Sequence, residues 1–207
     1  MGVLIGLSGK KQSGKSTIAS FLRQDKGFFE VSWAEPLKTH IGKDLFGFTE
    51  EQVNGTEAEK EAVDPRWGKS PRWVLQHFGT EVFRSFDPDF WVKVGTREIA
   101  DRLDQGYDVV VADCRFPNEM EAVRRLGGIA VRVVRMGQVS KDTHVSETAL
   151  DTYEFDRIIT ARSGDLTGLL YTADQLVKDM RDGLMATRDE IQLHQAAIDE
   201  DVRNGVY

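Results

Sequence analysis

Val3-Leu4-Ile5-Gly6-Leu7-Ser8 runs straight into Gly9-Lys10-Lys11-Gln12-Ser13-Gly14-Lys15-Ser16. A short apolar run bounded by a glycine-rich segment predicts a buried strand. The segment that follows fits G-x-x-x-x-G-K-[ST] at every fixed position. Glycines let the backbone curl so that successive N–H groups point at an anion. Lys15 brings positive charge to β- and γ-phosphates, and the Ser16 hydroxyl is suited to ligate Mg²⁺. Residues from about 15 to 24 have helical spacing, so a helix dipole aims at the same anion. Strand, loop and helix in this order separate a phosphate loop from a surface turn that is merely rich in glycine and lysine.

Working outward, residues 28–33 read as a second strand. Leu37, Ile41 and Leu45 have helical spacing. Residues 48–69 are polar and acidic and predict a loop with a short helix. Ser70-Pro71 signals a helix start, running through Trp73, Val74 and Phe78 towards Phe86. Asp87-Pro88 starts another helix, reaching about Leu103. Val109-Val110-Val111 is fully apolar, as a central parallel strand requires. Residues 117–126 are helical, 129–134 form a strand, 157–160 a last short strand and 166–180 an amphipathic helix. Strands alternating with helices predict βαβ units: an α/β, three-layer P-loop NTPase fold, its central parallel sheet flanked by helices. Residues 1–183 read as a single domain with a lid-like segment at about 136–148. Residues 184–207, polar with scattered aliphatics, read as a C-terminal helix or tail.

The 207 residues are 40% hydrophobic and 29% charged, with a net charge of -7. An acidic total argues against duplex nucleic acid as a partner. Cys114 is the single cysteine, so no internal disulfide forms and nothing points to secretion. No apolar run has the length of a membrane span and no signal peptide is evident, so a cytoplasmic location is expected.

Asp113 lies just past the Val109-Val110-Val111-Ala112 run. Ligands of open α/β sheets bind at the carboxyl ends of strands. Asp113 there suits Mg²⁺ or an attacking group, or else caps the next helix. Transfer between two polyanions needs cations, and arginine binds phosphate at two points. Arg72 and Arg115 lie near helix starts and are the candidates. Arg124 and Arg125 fall mid-helix, opposite the apolar face, and read as solvated. Trp91 reads either as core or as a stacking platform for a base.

At this point the chain resembles the deoxynucleoside monophosphate kinases of tailed bacteriophages. The phosphate loop carries the resemblance, with Ala34-Glu35-Pro36-Leu37-Lys38 and Ser70-Pro71-Arg72 through Gly79-Thr80-Glu81 to Phe90-Trp91-Val92-Lys93. The last block is Asp113-Cys114-Arg115-Phe116-Pro117-Asn118-Glu119, continuing to Gly127-Gly128, Arg135, Gly137, Asp142, His144 and Ser146-Glu147. The resemblance implies transfer of the γ-phosphate of ATP, with Mg²⁺, to a deoxynucleoside 5′-monophosphate. Ser13, Gly14, Lys15, Ser16 and Thr17 would hold the ATP phosphates. Leu37, Lys38 and Arg72 would line the monophosphate site, with Gly79, Thr80 and Trp91 around sugar and base and Gln76 helping to shape the base pocket. Asp113, Arg115 and Glu119 would complete the site. Lys15, Arg115 and Asp113 would be catalytic, and Ser16 and Asp113 would hold the metal. Arg135, Asp142, His144 and Glu147 would belong to the lid. The partners are small nucleotides, with no nucleic acid and no membrane, and the resemblance allows a homodimer. In related kinases an asparagine often follows the last strand; here Thr160-Ala161-Arg162-Ser163-Gly164 has none, and Arg162 is the candidate to stack on adenine. The competing readings are a kinase for another small acceptor, such as dephospho-coenzyme A, and a regulatory ATPase that uses water as acceptor.

Overall fold

The structure, a computed structural model, describes residues 2–137 and 145–183. Five parallel strands form one sheet in the order β2-β3-β1-β4-β5. They are β1 (Leu4–Ser8), β2 (Phe29–Val31), β3 (Val109–Val111), β4 (Ile129–Arg135) and β5 (Arg157–Ala161). Every residue of β1 and β3 is buried, as expected for strands covered on both faces. β1 pairs with β3 from Leu4↔Val109 to Gly6↔Val111, and with β4 from Ile5↔Ile129 to Ser8↔Arg132. The chain therefore builds outward from β1 in both directions, which makes the carboxyl end of β1 a topological switch point.

The helices α1 (Lys15–Lys26) and α9 (Leu166–Arg181) cover one face. Ile18, Ala19 and Leu22 join Leu169, Ala173, Leu176 and Val177 in a core with Ile5, Leu7, Val110, Val131 and Ile159. Strand alternation turns Gly6 to the other face. There α7 (Pro117–Arg125) packs so closely that a Cβ on Gly6 would stand 3.0 Å from Val123 Cγ2. The three layers are thus α1 with α9, the sheet, and α7.

The described residues form two compact units, those up to 31 together with those between 99 and 183, and residues 32–98. The second unit is helical. It holds α2 (Glu50–Asn54), α3 (Glu57–Glu61), α4 (Pro71–Gln76), α5 (Arg84–Phe86) and the start of α6 (Phe90–Asp104). Residues 48–69 are more ordered than their composition suggests. Thr49 with Gln52 and Thr56 with Glu59 form capping boxes on α2 and α3. Asp64 is buried and accepts from Arg66 Nη2 at 2.7 Å and Gln52 Nε2 at 3.0 Å. These bonds hold its carboxyl well below the usual carboxylate range. The expected helix start at Ser70-Pro71 is present, with Ser70 Oγ accepting from Trp73 N at 3.2 Å.

Two stretches, Leu37–Leu45 and His77–Phe83, are π-helical rather than α-helical. The expected stripe of Leu37, Ile41 and Leu45 does not stay buried along its whole length. Leu37 is buried while Leu45 is 63% exposed. Arg124 also departs from expectation. It is not solvated: Nε and Nη2 each donate to the Asp156 carboxylate at 3.0 Å, and Nη2 donates to Glu154 O at 2.6 Å. Asp156 in turn accepts from Ala130 N at 2.8 Å, so the pair pins α7 to the start of β4. A partner 32 positions away in sequence leaves no local signal.

Candidate active site

The phosphate loop leaves β1 at Ser8 and enters α1 at Lys15. Its shape depends on glycine at two positions. Gly9 has φ 152°, and a Cβ there would stand 2.3 Å from Val133 O. Gly14, the N-cap of α1, has φ 107° and would meet Leu169 Cδ2 at 2.9 Å. Gln12 is the one non-glycine with positive φ among the described residues. Strain of this kind, on the order of 1–3 kcal/mol, persists where surrounding structure enforces it, often at ligand sites. Lys10 O accepts from Ser13 N at 3.1 Å and from Lys15 Nζ at 3.0 Å. Lys15 Nζ also donates to Gly9 O. The ammonium thus bonds to two carbonyls of the loop itself.

Ser13 supplies the test of fit for a phosphate. The residue is 3% exposed, and its Oγ has no hydrogen-bond partner among the described residues. A buried hydroxyl left unbonded costs roughly 1–3 kcal/mol, so such an atom inside an anion cradle signals a ligand that bonds to it. Ser16 and Thr17, in the first turn of α1, are exposed. From there an open groove of about 460 Å³ runs between α1 and α9, lined by Ser16, Thr17, Ser20, Phe21, Leu166 and Leu170 among others.

Asp113 lies two residues past Val111, which pairs beside Gly6. That register puts it level with Ser8, where β1 hands over to the loop. The turn carrying it is held from below. Glu119, 2% exposed, accepts from Arg115 N at 2.7 Å and Phe116 N at 3.1 Å. Glu119 was expected to face substrate; its carboxylate instead braces the turn, an N-terminal cap for α7. Arg115 is exposed beside it. Arg132 and Arg135 lie on β4, the former opposite Ser8 and the latter at the strand end. Among the described residues, no three His, Cys, Asp or Glu side chains cluster as a metal site. Mg²⁺ that arrives on a nucleotide needs only one or two protein oxygens besides the phosphates, and Ser16 and Asp113 are the residues that could supply them.

In the second unit, Leu37, Gly79 and Trp91 come together. A Cβ on Gly79 would stand 2.8 Å from Leu37 Cδ2, and Trp91 Nε1 donates to Gly79 O at 2.9 Å. Trp91 is 6% exposed, with the rings of Phe83 and Phe90 against it at 5.0 and 4.9 Å. Its face is therefore not offered to a base; this corrects the stacking reading. Thr80 and Lys38 are half-buried, and Gln76 is exposed at the end of α4. Arg72 donates to Glu57 Oε1 at 3.0 Å and lies 3.3 Å from Glu61 Oε1. Of the lid, Asp142 and His144 lie outside the described residues, as does the tail from 184; Glu147 falls in α8 (Val145–Thr148).

With this geometry in hand, the family model for deoxynucleotide monophosphate kinase matches residues 53–171. The chain belongs to the deoxynucleotide monophosphate kinase family. A relative from Acanthamoeba polyphaga mimivirus, assigned to the same kinase family, is 39% identical over 159 residues, covering 72% of this chain and 82% of the relative. The deoxynucleotide monophosphate kinase of Enterobacteria phage T4 is 37% identical over 100 residues, covering 47% of this chain and 41% of the phage protein. The solved dephospho-CoA kinase from Campylobacter jejuni superposes with TM-score 0.51 at 13% identity, covering 89% of this chain and 100% of that one. At that identity the likeness is one of fold, and it agrees with a three-layer P-loop kinase. As a member of a kinase family, the chain uses a nucleoside triphosphate as phosphoryl donor.

Proposed function

We propose that this deoxynucleotide monophosphate kinase transfers the γ-phosphoryl group of ATP to the 5′-phosphate of a deoxynucleoside monophosphate. An oxygen of the acceptor phosphate forms the new bond to the γ-phosphorus. The bond from that phosphorus to the β–γ bridging oxygen breaks, and ADP leaves. The acceptor is already an anion, so positioning and charge neutralisation dominate over general-base help.

Lys15 and the loop amides hold the β- and γ-phosphates, and Ser13 Oγ donates to the same group. Gly14 and Thr17 complete the cradle. The groove between α1 and α9 takes the donor's nucleoside, and Arg162 is assigned to stack on its adenine. Mg²⁺, when bound, neutralises charge on the phosphates, and Ser16 and Asp113 are the residues to hold it. Arg115 stabilises the charge that develops on the transferred group. Leu37, Lys38, Arg72, Gln76, Gly79 and Thr80 recognise the acceptor, with Trp91 acting from the core by fixing the Gly79 carbonyl. Arg135, Asp142, His144 and Glu147 are assigned to a lid that excludes water. The substrates are soluble nucleotides, and the enzyme works in the cytoplasm.

One observation carries this reading: an anion cradle with an unbonded buried hydroxyl, level with Asp113 at the switch point of the sheet. ADP release from Mg-ATP, measured with and without deoxynucleoside monophosphates, tests it. Release that requires the acceptor supports the proposal; release indifferent to any acceptor sinks it.

A further inference from the structure

The phosphate loop is tied at its first lysine to a residue outside the motif. Lys10 Nζ donates to Asp151 Oδ1 at 2.6 Å, and the same oxygen accepts from Arg132 Nη2 at 3.0 Å. Arg132 Nη1 donates to Leu150 O at 3.2 Å. Arg132 is anchored on the sheet, paired with Ser8 where β1 ends. The main chain of Lys10 is itself part of the cradle, since its carbonyl accepts from both Ser13 N and Lys15 Nζ. Whatever moves Lys10 therefore moves the acceptor on which Lys15 rests.

The charge balance explains why a carboxylate stands there. Lys10, Lys11 and Lys15 lie within six residues of loop, and Arg132 enters from the neighbouring strand. Like charges this close repel, and repulsion would splay the loop away from β4. Asp151 Oδ1 lies between two of the four cations and bonds to both. The lysine and arginine side chains are 25% and 16% exposed and that of Asp151 is 42% exposed, so water screens the contact and its effect is modest.

We propose that Asp151 is a positioning residue for the donor nucleotide. Through Lys10 and Arg132 it fixes the start of the phosphate loop against β4, so the cradle is shaped before ATP arrives. A pre-shaped site spends less of its binding energy on ordering. This inference rests on the phosphate-loop reading of residues 9–16.

The test is kinetic. Asp151→Asn keeps the size of the side chain and removes its charge. It should raise the KM and the Kd for ATP by about threefold to tenfold, while kcat and the acceptor KM move by less than about twofold. Asp151→Glu should recover part of the loss. Lys10→Met should raise the ATP KM on its own, and Asp151→Asn should add little in that background, because the coupling runs through Lys10. An unchanged ATP KM in Asp151→Asn overturns the proposal, as does a full further loss in the Lys10→Met background. Equal rises in both KM values with a lower Tm would make Asp151 a plain structural residue, and would also overturn it. Lys15→Ala run alongside separates the two levels. If Lys15→Ala binds ATP normally, the loop reading itself fails; if it does not and Asp151→Asn behaves as wild type, only the role of Asp151 fails.

Discussion

Removing the hydroxyl of Ser13 should move stability and affinity in opposite directions. Ser13 Oγ is buried without a hydrogen-bond partner among the described residues. Keeping it so costs roughly 1–3 kcal/mol of desolvation. Ser13→Ala releases that cost and loses a few packing contacts, leaving a net gain of about 1 kcal/mol. For a chain of this size that is a rise of roughly 2–4 °C in Tm. With ATP bound, the wild-type hydroxyl donates to a charged phosphate oxygen, a bond worth about 1.5–3 kcal/mol. The variant should therefore bind ATP roughly 10- to 150-fold more weakly. Thermal unfolding with and without nucleotide, joined to calorimetric titration of a non-hydrolysable ATP analogue, reads both numbers from one preparation. A variant less stable when nucleotide-free, with wild-type affinity, would refute the reasoning. It would mean that the hydroxyl is satisfied within the protein and faces no ligand.

Other expectations follow from single contacts. Arg115→Ala should lower kcat by about two orders of magnitude or more, the loss typical of a charge-stabilising donor, with little change in Tm; single-turnover kinetics checks it. Trp91→Phe keeps the core filled but releases the Gly79 carbonyl, and should raise the acceptor KM more than it lowers kcat. An unchanged acceptor KM would leave Trp91 with packing alone. Asp64 has a folded-state pKa depressed by Arg66 and Gln52. Its contribution is therefore full above the ordinary carboxylate pKa of about 4 and is lost as pH falls below it. Wild type should lose more stability than Asp64→Asn on going from pH 5 to pH 3, as followed by denaturant titration.

The sequence was most legible where chemistry is local. The phosphate loop, the strands at 109–111 and 129–134 and the helix start at Ser70-Pro71 each carry their signal within a few residues, and each stands where it was expected. Two capping boxes in residues 48–69 were equally local, in Thr49 with Gln52 and Thr56 with Glu59, but the acidic composition masked them. What the sequence hid depends on contacts between distant residues. The strand order is one case. The clamp of Arg124 on Asp156 is another, and so is the bond from Lys10 to Asp151 across 141 positions. Trp91 and Glu119 show a subtler failure. Both were picked out by the family resemblance, yet one indole is spent on Gly79 O and one carboxylate on two amides. A residue can be required at a site without touching the ligand, and motif position does not separate the two roles.

The most direct test of the central claim is the acceptor dependence of ADP release. The four common deoxynucleoside monophosphates, the matching ribonucleotides and a no-acceptor control are each given with Mg-ATP to the wild-type enzyme. Strong stimulation by at least one deoxynucleotide, near-zero release without acceptor, and loss of the stimulated release in Lys15→Ala are expected. Hydrolysis at one rate whatever the acceptor would contradict this and point to an ATPase that uses water.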